Sequence, residues 1–252
     1  MSLGQHLIEL RKRLFISAIA IVVCSIGGWF LYDPIFNEIQ APVQAMVKAH
    51  TAAINFAGIG TAFDIQLQVA FTVGAVASSP IWLYQIFAFI VPGLTRKEKK
   101  YTFGFFFSAV PLFLAGCAAG WFVFPHIVGV LGSFVPSGSA SLIEARDYLG
   151  FVLKLVLAVG IAFVLPVFLV LLNFLGIISG KSIIASWRWA ILLIFVFCAI
   201  ATPSADVGSM FLLAVPMIFL YFVAAGVAGW HDRIVRKRSD ALTADLGDAA
   251  AA

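Results

Sequence analysis

The feature that most limits what this chain can fold into is a series of long runs without a charged side chain. They occupy residues 14–31, 65–91, 101–125, 155–180, 189–205 and 207–230. Most reach the ~20 residues that an α-helix needs to cross a hydrocarbon core ~30 Å thick. With 62% hydrophobic residues and 11% charged residues among 252, too few polar side chains remain to cover a soluble globule. The mean hydropathy of +1.06 agrees. The sequence therefore predicts an all-α polytopic membrane protein with six transmembrane helices, at about 14–32, 65–91, 102–125, 148–172, 188–202 and 207–230. Residues 1–232 form one transmembrane domain, and 233–252 form a basic and then disordered tail. The first run follows basic residues as a secretory signal does. It lacks a small-residue cleavage site, however, and ends in Trp29, Phe30 and Tyr32, which suit an interfacial anchor of a retained helix.

Six spans put both termini on one side, together with the connections at 92–100 and 173–188. That side holds Arg11, Lys12, Arg13, Arg96, Lys97, Lys99, Lys100, Lys181, Arg188, Arg233, Arg236, Lys237 and Arg238. Only Lys48, Arg146 and Lys154 fall on or near the other, so the excess of cations predicts that both termini are cytoplasmic. The net charge of +4 is thus a topological signal and not a nucleic-acid footprint. Cys24, Cys117 and Cys198 lie singly in predicted helices and suit small apolar packing residues.

Leu3, Leu7, Leu10 and Leu14 recur at helical spacing, which predicts a lead-in along the membrane surface before the first span. On the outer side, Ile35, Ile39, Val43, Met46 and Val47 trace one helix face, predicting an interfacial helix that Pro42 should bend. Pro80, Pro111, Pro166 and Pro216 stand inside predicted spans, where proline removes an amide donor and kinks the helix. The fifth span is short: Trp189 to Thr202 gives ~21 Å of helix, less than the core of a full-thickness bilayer.

Catalytic constellations are scarce. His6, His50, His126 and His231 are scattered, and no HExxH, GxSxG or phosphate-binding glycine loop occurs, so no enzyme, metal or cofactor is expected. What stands out is acid among cations: Glu9 in HLIELRKR and Glu98 in TRKEKK. Glu9 lies four residues before Arg13, as in a local helical ion pair. Alternatively, two carboxylates on a basic face receive a cationic guest, and a guanidinium fits a carboxylate better than an ammonium does.

HLIELRKRL at 6–14, SSPIWLYQIFAFIVPGLTRKEKK at 78–100, FPHI at 124–127 and ATPSADV…AVPM between 201 and 217 resemble the TatC family, the receptor and core subunit of the twin-arginine protein translocase. The resemblance runs from about residue 6 to about residue 230. It implies six helices in a curved, glove-like bundle in the cell membrane. The implied function is export of folded proteins on the proton-motive force, with TatA- and TatB-type single-span partners and a homo-oligomeric receptor complex. Carried over by position, Glu9 and Glu98 resemble the carboxylates that receive the paired arginines of a signal peptide. Arg11, Phe89 and Pro92 match positions near that site. Pro42, Pro80, Thr202 and Asp206 match positions for structure or partner docking. The chain departs from the family at Val164 and Phe222, where many members carry polar or acidic residues within the membrane. From the residues alone, a proton-coupled small-solute transporter is the alternative, although no internal repeat is visible.

Overall fold

The computed structural model describes residues 3–47, 52–90, 96–133, 141–201 and 207–251; at 3, 45–47, 52–53, 90, 96–103, 131, 141–142, 209 and from 238 onward the backbone alone is described. The fold is nearly all helical. Helices α1 (Leu3–Phe30) and α2 (Tyr32–Val47) precede a short strand β1 (Ala52–Asn55), after which come α3 (Thr61–Ala77), α4 (Ser79–Ile90) and α5 (Arg96–Ser133). Strand β2 (Ser141–Glu144) leads into α6 (Ala145–Phe174), and α7 (Gly180–Ala185), α8 (Trp187–Ala201) and α9 (Val207–Ala251) complete the chain.

Among the described residues, four helices are long and apolar enough to cross a membrane: Gly4–Phe30, Gly104–Val130, Ala145–Phe174 and Met210–Lys237. The predicted second span is two helices, α3 and α4, bent by 58°. Pro80 sits in the first turn of α4, where its missing amide does least harm. The carbonyl of Ala75, just before the break, accepts the indole N–H of Trp82 at 2.8 Å. The predicted kink is thus a break with side-chain compensation. The short fifth span is α8, whose 15 residues make ~22 Å.

Ring and polar contacts order the ends of the bundle. At one end His6 of α1 meets Phe89 of α4, Phe105 of α5 meets Phe174 of α6, and Phe174 meets His231 of α9. At the other, Trp29 of α1 meets Phe63 of α3, and the phenol of Tyr148 in α6 donates to the Ile39 carbonyl of α2 at 2.7 Å. We call these the terminal end and the strand end. The strand end is named for β1 and β2, which pair in parallel from Ala52↔Ser141 to Asn55↔Glu144. This ladder ties the two long connections together.

The centre of the bundle is α6. Its Leu149, Val152, Leu155, Val159 and Phe163 pack with Ile65 and Val69 of α3, Phe124 and Ile127 of α5 and Leu213 of α9. Lipid tails are as apolar as these side chains, so close van der Waals fit is what favours helix contact in a membrane. Fit is tight where α5 crosses α6: a Cβ on Gly116 would stand 2.8 Å from the Val159 carbonyl oxygen. Elsewhere α1, α8 and α9 leave Val22, Ile26, Leu193, Val196, Val215 and Phe219 exposed, as expected of lipid-facing surface.

Three sequence expectations change. α1 is one unbroken helix from Leu3, and its Leu7, Leu10 and Leu14 are exposed, so the leucine repeat marks no separate surface segment. α2 runs through Pro42 without interruption. The expected disordered tail is helical to Ala251: alanine has the highest helix propensity, and a tail that continues an existing helix needs no new nucleus.

Candidate functional site

The acid-among-cations stretch of α1 lies at the terminal end against α4. Glu9 and Arg13 are one turn apart on α1, and their side chains are each 22% exposed. The Arg13 guanidinium donates to Glu9 Oε1 from Nη2 at 2.7 Å and from Nε at 3.2 Å. Its Nη1 reaches across to Gln85 Oε1 of α4 at 3.1 Å. One turn farther along α4, Phe89 faces the His6 ring with centroids 4.3 Å apart. The local ion pair anticipated for Glu9 is therefore present, and Arg13 also staples α1 to α4. Gln85 and His6 carried no signal in the sequence, because only the packing of α1 on α4 brings them to Glu9.

Both bonds to the carboxylate end on Oε1, and among the described residues none reaches Oε2. A carboxylate accepts through two oxygens, so Glu9 keeps an acceptor edge for a further donor. Arg11 and Lys12 are exposed beside it. Glu98 falls in the first turn of α5, where the helix dipole favours an acid; its side chain lies outside the described residues. Pro92, Thr202 and Asp206 also lie outside the described residues. Pro42 is half-buried in α2 at the strand end, and Pro80 is exposed at the α3–α4 break.

A second polar knot at the terminal end escaped the sequence analysis. Asp232 of α9 accepts the Asn173 side-chain amide of α6 at 2.8 Å and the Gly180 backbone N–H of α7 at 2.6 Å. The same Asn173 amide donates to the Ile178 carbonyl at 2.9 Å, closing the turn after α6. Nearby, Tyr221 donates to the Ile183 carbonyl. This knot fixes the α6–α8 connection to α9. The signal available in sequence was slight: Asp232 is one of the few acids near the basic C-terminal segment.

At the strand end, a cleft of about 900 Å³ opens between α3, α6 and the end of α8. It holds Gln68, Thr72, Arg146, Asp147 and Lys154 among apolar side chains. Arg146 is paired with Asp64. Val164, one of the two departures noted above, is 3% exposed and packs with Leu83, Phe87 and Phe113, whereas Phe222 is exposed. Among the described residues no cluster of three or more His, Cys, Asp or Glu side chains could hold a metal ion.

Fold and site together define a polytopic helical membrane protein with an acceptor carboxylate held at its terminal end. The family model of the Sec-independent protein translocase protein (TatC) matches residues 5–216. The TatC of Xylanimonas cellulosilytica is 46% identical over 241 residues, covering 95% of this chain and 87% of its own. TatCy of Bacillus subtilis is 32% identical, with 96% of this chain and 94% of its own covered. A crystal structure of the twin-arginine translocase receptor TatC superposes with a TM-score of 0.73 at 30% identity, covering 88% of this chain and 97% of that one. A second, in DDM, gives 0.76 at 29% identity, with 88% and 99% covered. The chain belongs to the TatC family.

Proposed function

We propose that this chain is the receptor and core subunit of a twin-arginine translocase in the cell membrane. It binds twin-arginine signal peptides at the cytoplasmic face and, with TatA- and TatB-type single-span partners, exports folded proteins on the proton-motive force. The observation that carries this reading is the carboxylate of Glu9, held by Arg13, which also bonds Gln85 of α4, with no donor among the described residues at its second oxygen, in a chain of this family. Glu98, at the start of α5, is the second acceptor. All six apolar helical units cross the membrane, with both termini cytoplasmic. Thr202 and Asp206, after the short α8, form with it a docking face for a partner span, and several copies assemble in the receptor complex. The protein catalyses no covalent chemistry. The small-solute transporter alternative gives way to family membership.

Photo-crosslinking of a twin-arginine signal peptide to the chain in native membranes tests the proposal. Replacing both signal arginines by lysine should cut the adduct, because an ammonium cannot make the paired bonds of a guanidinium. Glu98→Ala should cut it about tenfold to a hundredfold, the equivalent of one charge-assisted hydrogen bond at ~1.5–3 kcal/mol. The amount of chain in the membrane should stay constant; an equal fall in both quantities would make Glu98 a folding residue and remove its recognition role.

A further inference from the structure

We propose that the groove between the end of α9 and the turn after α6 holds the headgroup of an anionic phospholipid, with Arg236 and Lys237 as counter-ions to its phosphate. The groove has a volume of about 800 Å³. Clefts that take small ligands span roughly 300–1,000 Å³. Phe174 and Gly176 form one wall, and Trp230, His231, Ile234 and Arg236 of α9 form the other. The Asp232 knot makes the base of the site rigid. Both oxygens of Asp232 are taken, by the Asn173 amide and the Gly180 N–H. His231 stacks on Phe174 with ring centroids 3.8 Å apart, and its Nδ1 is buried 3.9 Å from Asp232 Oδ1. That leaves Nε2 as the imidazole nitrogen able to meet a ligand in the groove.

The charge at this place calls for an anion. Arg233, Arg236, Lys237 and Arg238 follow Asp232 directly, four cations against one acid. Arg236 and Lys237 are exposed. Cations clustered just beyond the end of a spanning helix, or lining a pocket between such helices, recruit acidic lipid headgroups. The apolar side of the groove makes the ligand a lipid. Trp230 is 68% exposed near the end of the Met210–Lys237 span, where aromatic side chains anchor a helix at the membrane surface. Val227, which also lines the groove, is followed down the span at four-residue steps by Val223 and Phe219, and all three are exposed. Residues four apart share one face of a helix, so this row offers acyl chains an apolar track leading away from the cations. A free phosphate would use the cations and leave the track idle.

The site requires only the membrane-spanning fold, so its failure would leave the receptor reading untouched. Native mass spectrometry of the full purified chain, equilibrated with equal amounts of phosphatidylglycerol, phosphatidylethanolamine and phosphatidylcholine, tests the inference. Phosphatidylglycerol should be retained in preference to the other two. A Lys or Arg near an anionic headgroup is worth about fivefold in binding, so Arg236→Gln combined with Lys237→Gln should lower retention about 25-fold. Arg236→Lys combined with Lys237→Arg should keep it. Lys181→Gln removes an exposed cation of α7 that does not line the groove, and it should change nothing. Equal retention of the three lipids, full retention in the double Gln variant, or an equal loss in Lys181→Gln would overturn the inference. Glycerol 3-phosphate in large excess should not displace the lipid; displacement would assign the cations to a soluble phosphate ester and overturn it as well. Thermal midpoints of the double Gln variant and the unaltered chain, compared in one detergent without added lipid, should agree, and a lower midpoint in the variant would make the two cations folding residues and remove the site.

Discussion

Arg13 ties the N-terminal end together, because its three bonds join Glu9 on its own helix to Gln85 on α4. Partly exposed i,i+4 pairs of this kind contribute about 0.3–0.5 kcal/mol, too little to make Glu9 indispensable for folding. Two roles for Glu9 then differ in a measurable way. If it serves as acceptor for the signal peptide, Glu9→Ala should lower signal-peptide crosslinking about tenfold to a hundredfold. Arg13→Ala should cost less, since it loosens the α1–α4 staple while leaving the acceptor in place. Comparable losses in the two variants would mean that Glu9 acts mainly as Arg13's partner. The sequence offers the ion pair through its spacing and the recognition role through its family resemblance; the structure adds that the pair exists and that, among the described residues, no donor reaches Oε2.

At the scale of elements, the contact between α5 and α6 depends on the absence of a side chain. Gly116 faces the Val159 carbonyl oxygen and the Phe163 Cβ, each 2.8 Å from where its own Cβ would stand, whereas Gly104 on the same helix has nothing within 4 Å. Gly116→Ala should therefore destabilise the purified chain by ~1–3 kcal/mol, the usual cost of forcing extra volume into a packed contact. Gly104→Ala should be neutral or slightly stabilising through helix propensity. Thermal unfolding in one detergent would compare the two, and equal midpoints would show that the helices part without cost. A periodicity argument places both glycines in a spanning helix but cannot tell them apart, because which one meets α6 depends on how α5 is rotated about its axis. The α3–α4 break was legible in part. Pro80 announces a kink, but the 58° bend and the Trp82 bond to Ala75 depend on side chains that meet only after the turn has formed.

For the whole molecule, the proposed topology makes a direct prediction. In a chain freed of Cys24, Cys117 and Cys198, single cysteines at 5, 58 and 236 should respond differently to a membrane-impermeant maleimide. Only position 58, in the connection after β1, should label in intact cells; 5 and 236 should label after permeabilisation. Labelling of 5 or 236 in intact cells would reverse or break the assignment. The contacts support a common end for those two termini-proximal positions, since His6 reaches Phe89 and His231 reaches Phe174 across the same end of the bundle.

Sequence by itself determined that this is a helical membrane protein and that one of its apolar helices is short for a bilayer. These are local properties, because helix length is set by runs of apolar residues. It also placed Glu9 and Glu98 as acids among bases, and the motifs from 6 to 217 pointed to the family. Only the tertiary structure decided what each polar group meets. The strand pair, the Asp232 knot with the groove beside it, and the Gln85 bond to Arg13 all join residues tens of positions apart. The reason is physical: in lipid almost every face of a spanning helix is apolar, so hydropathy does not say which face turns inward, and that rotation follows from the fit of side chains between helices.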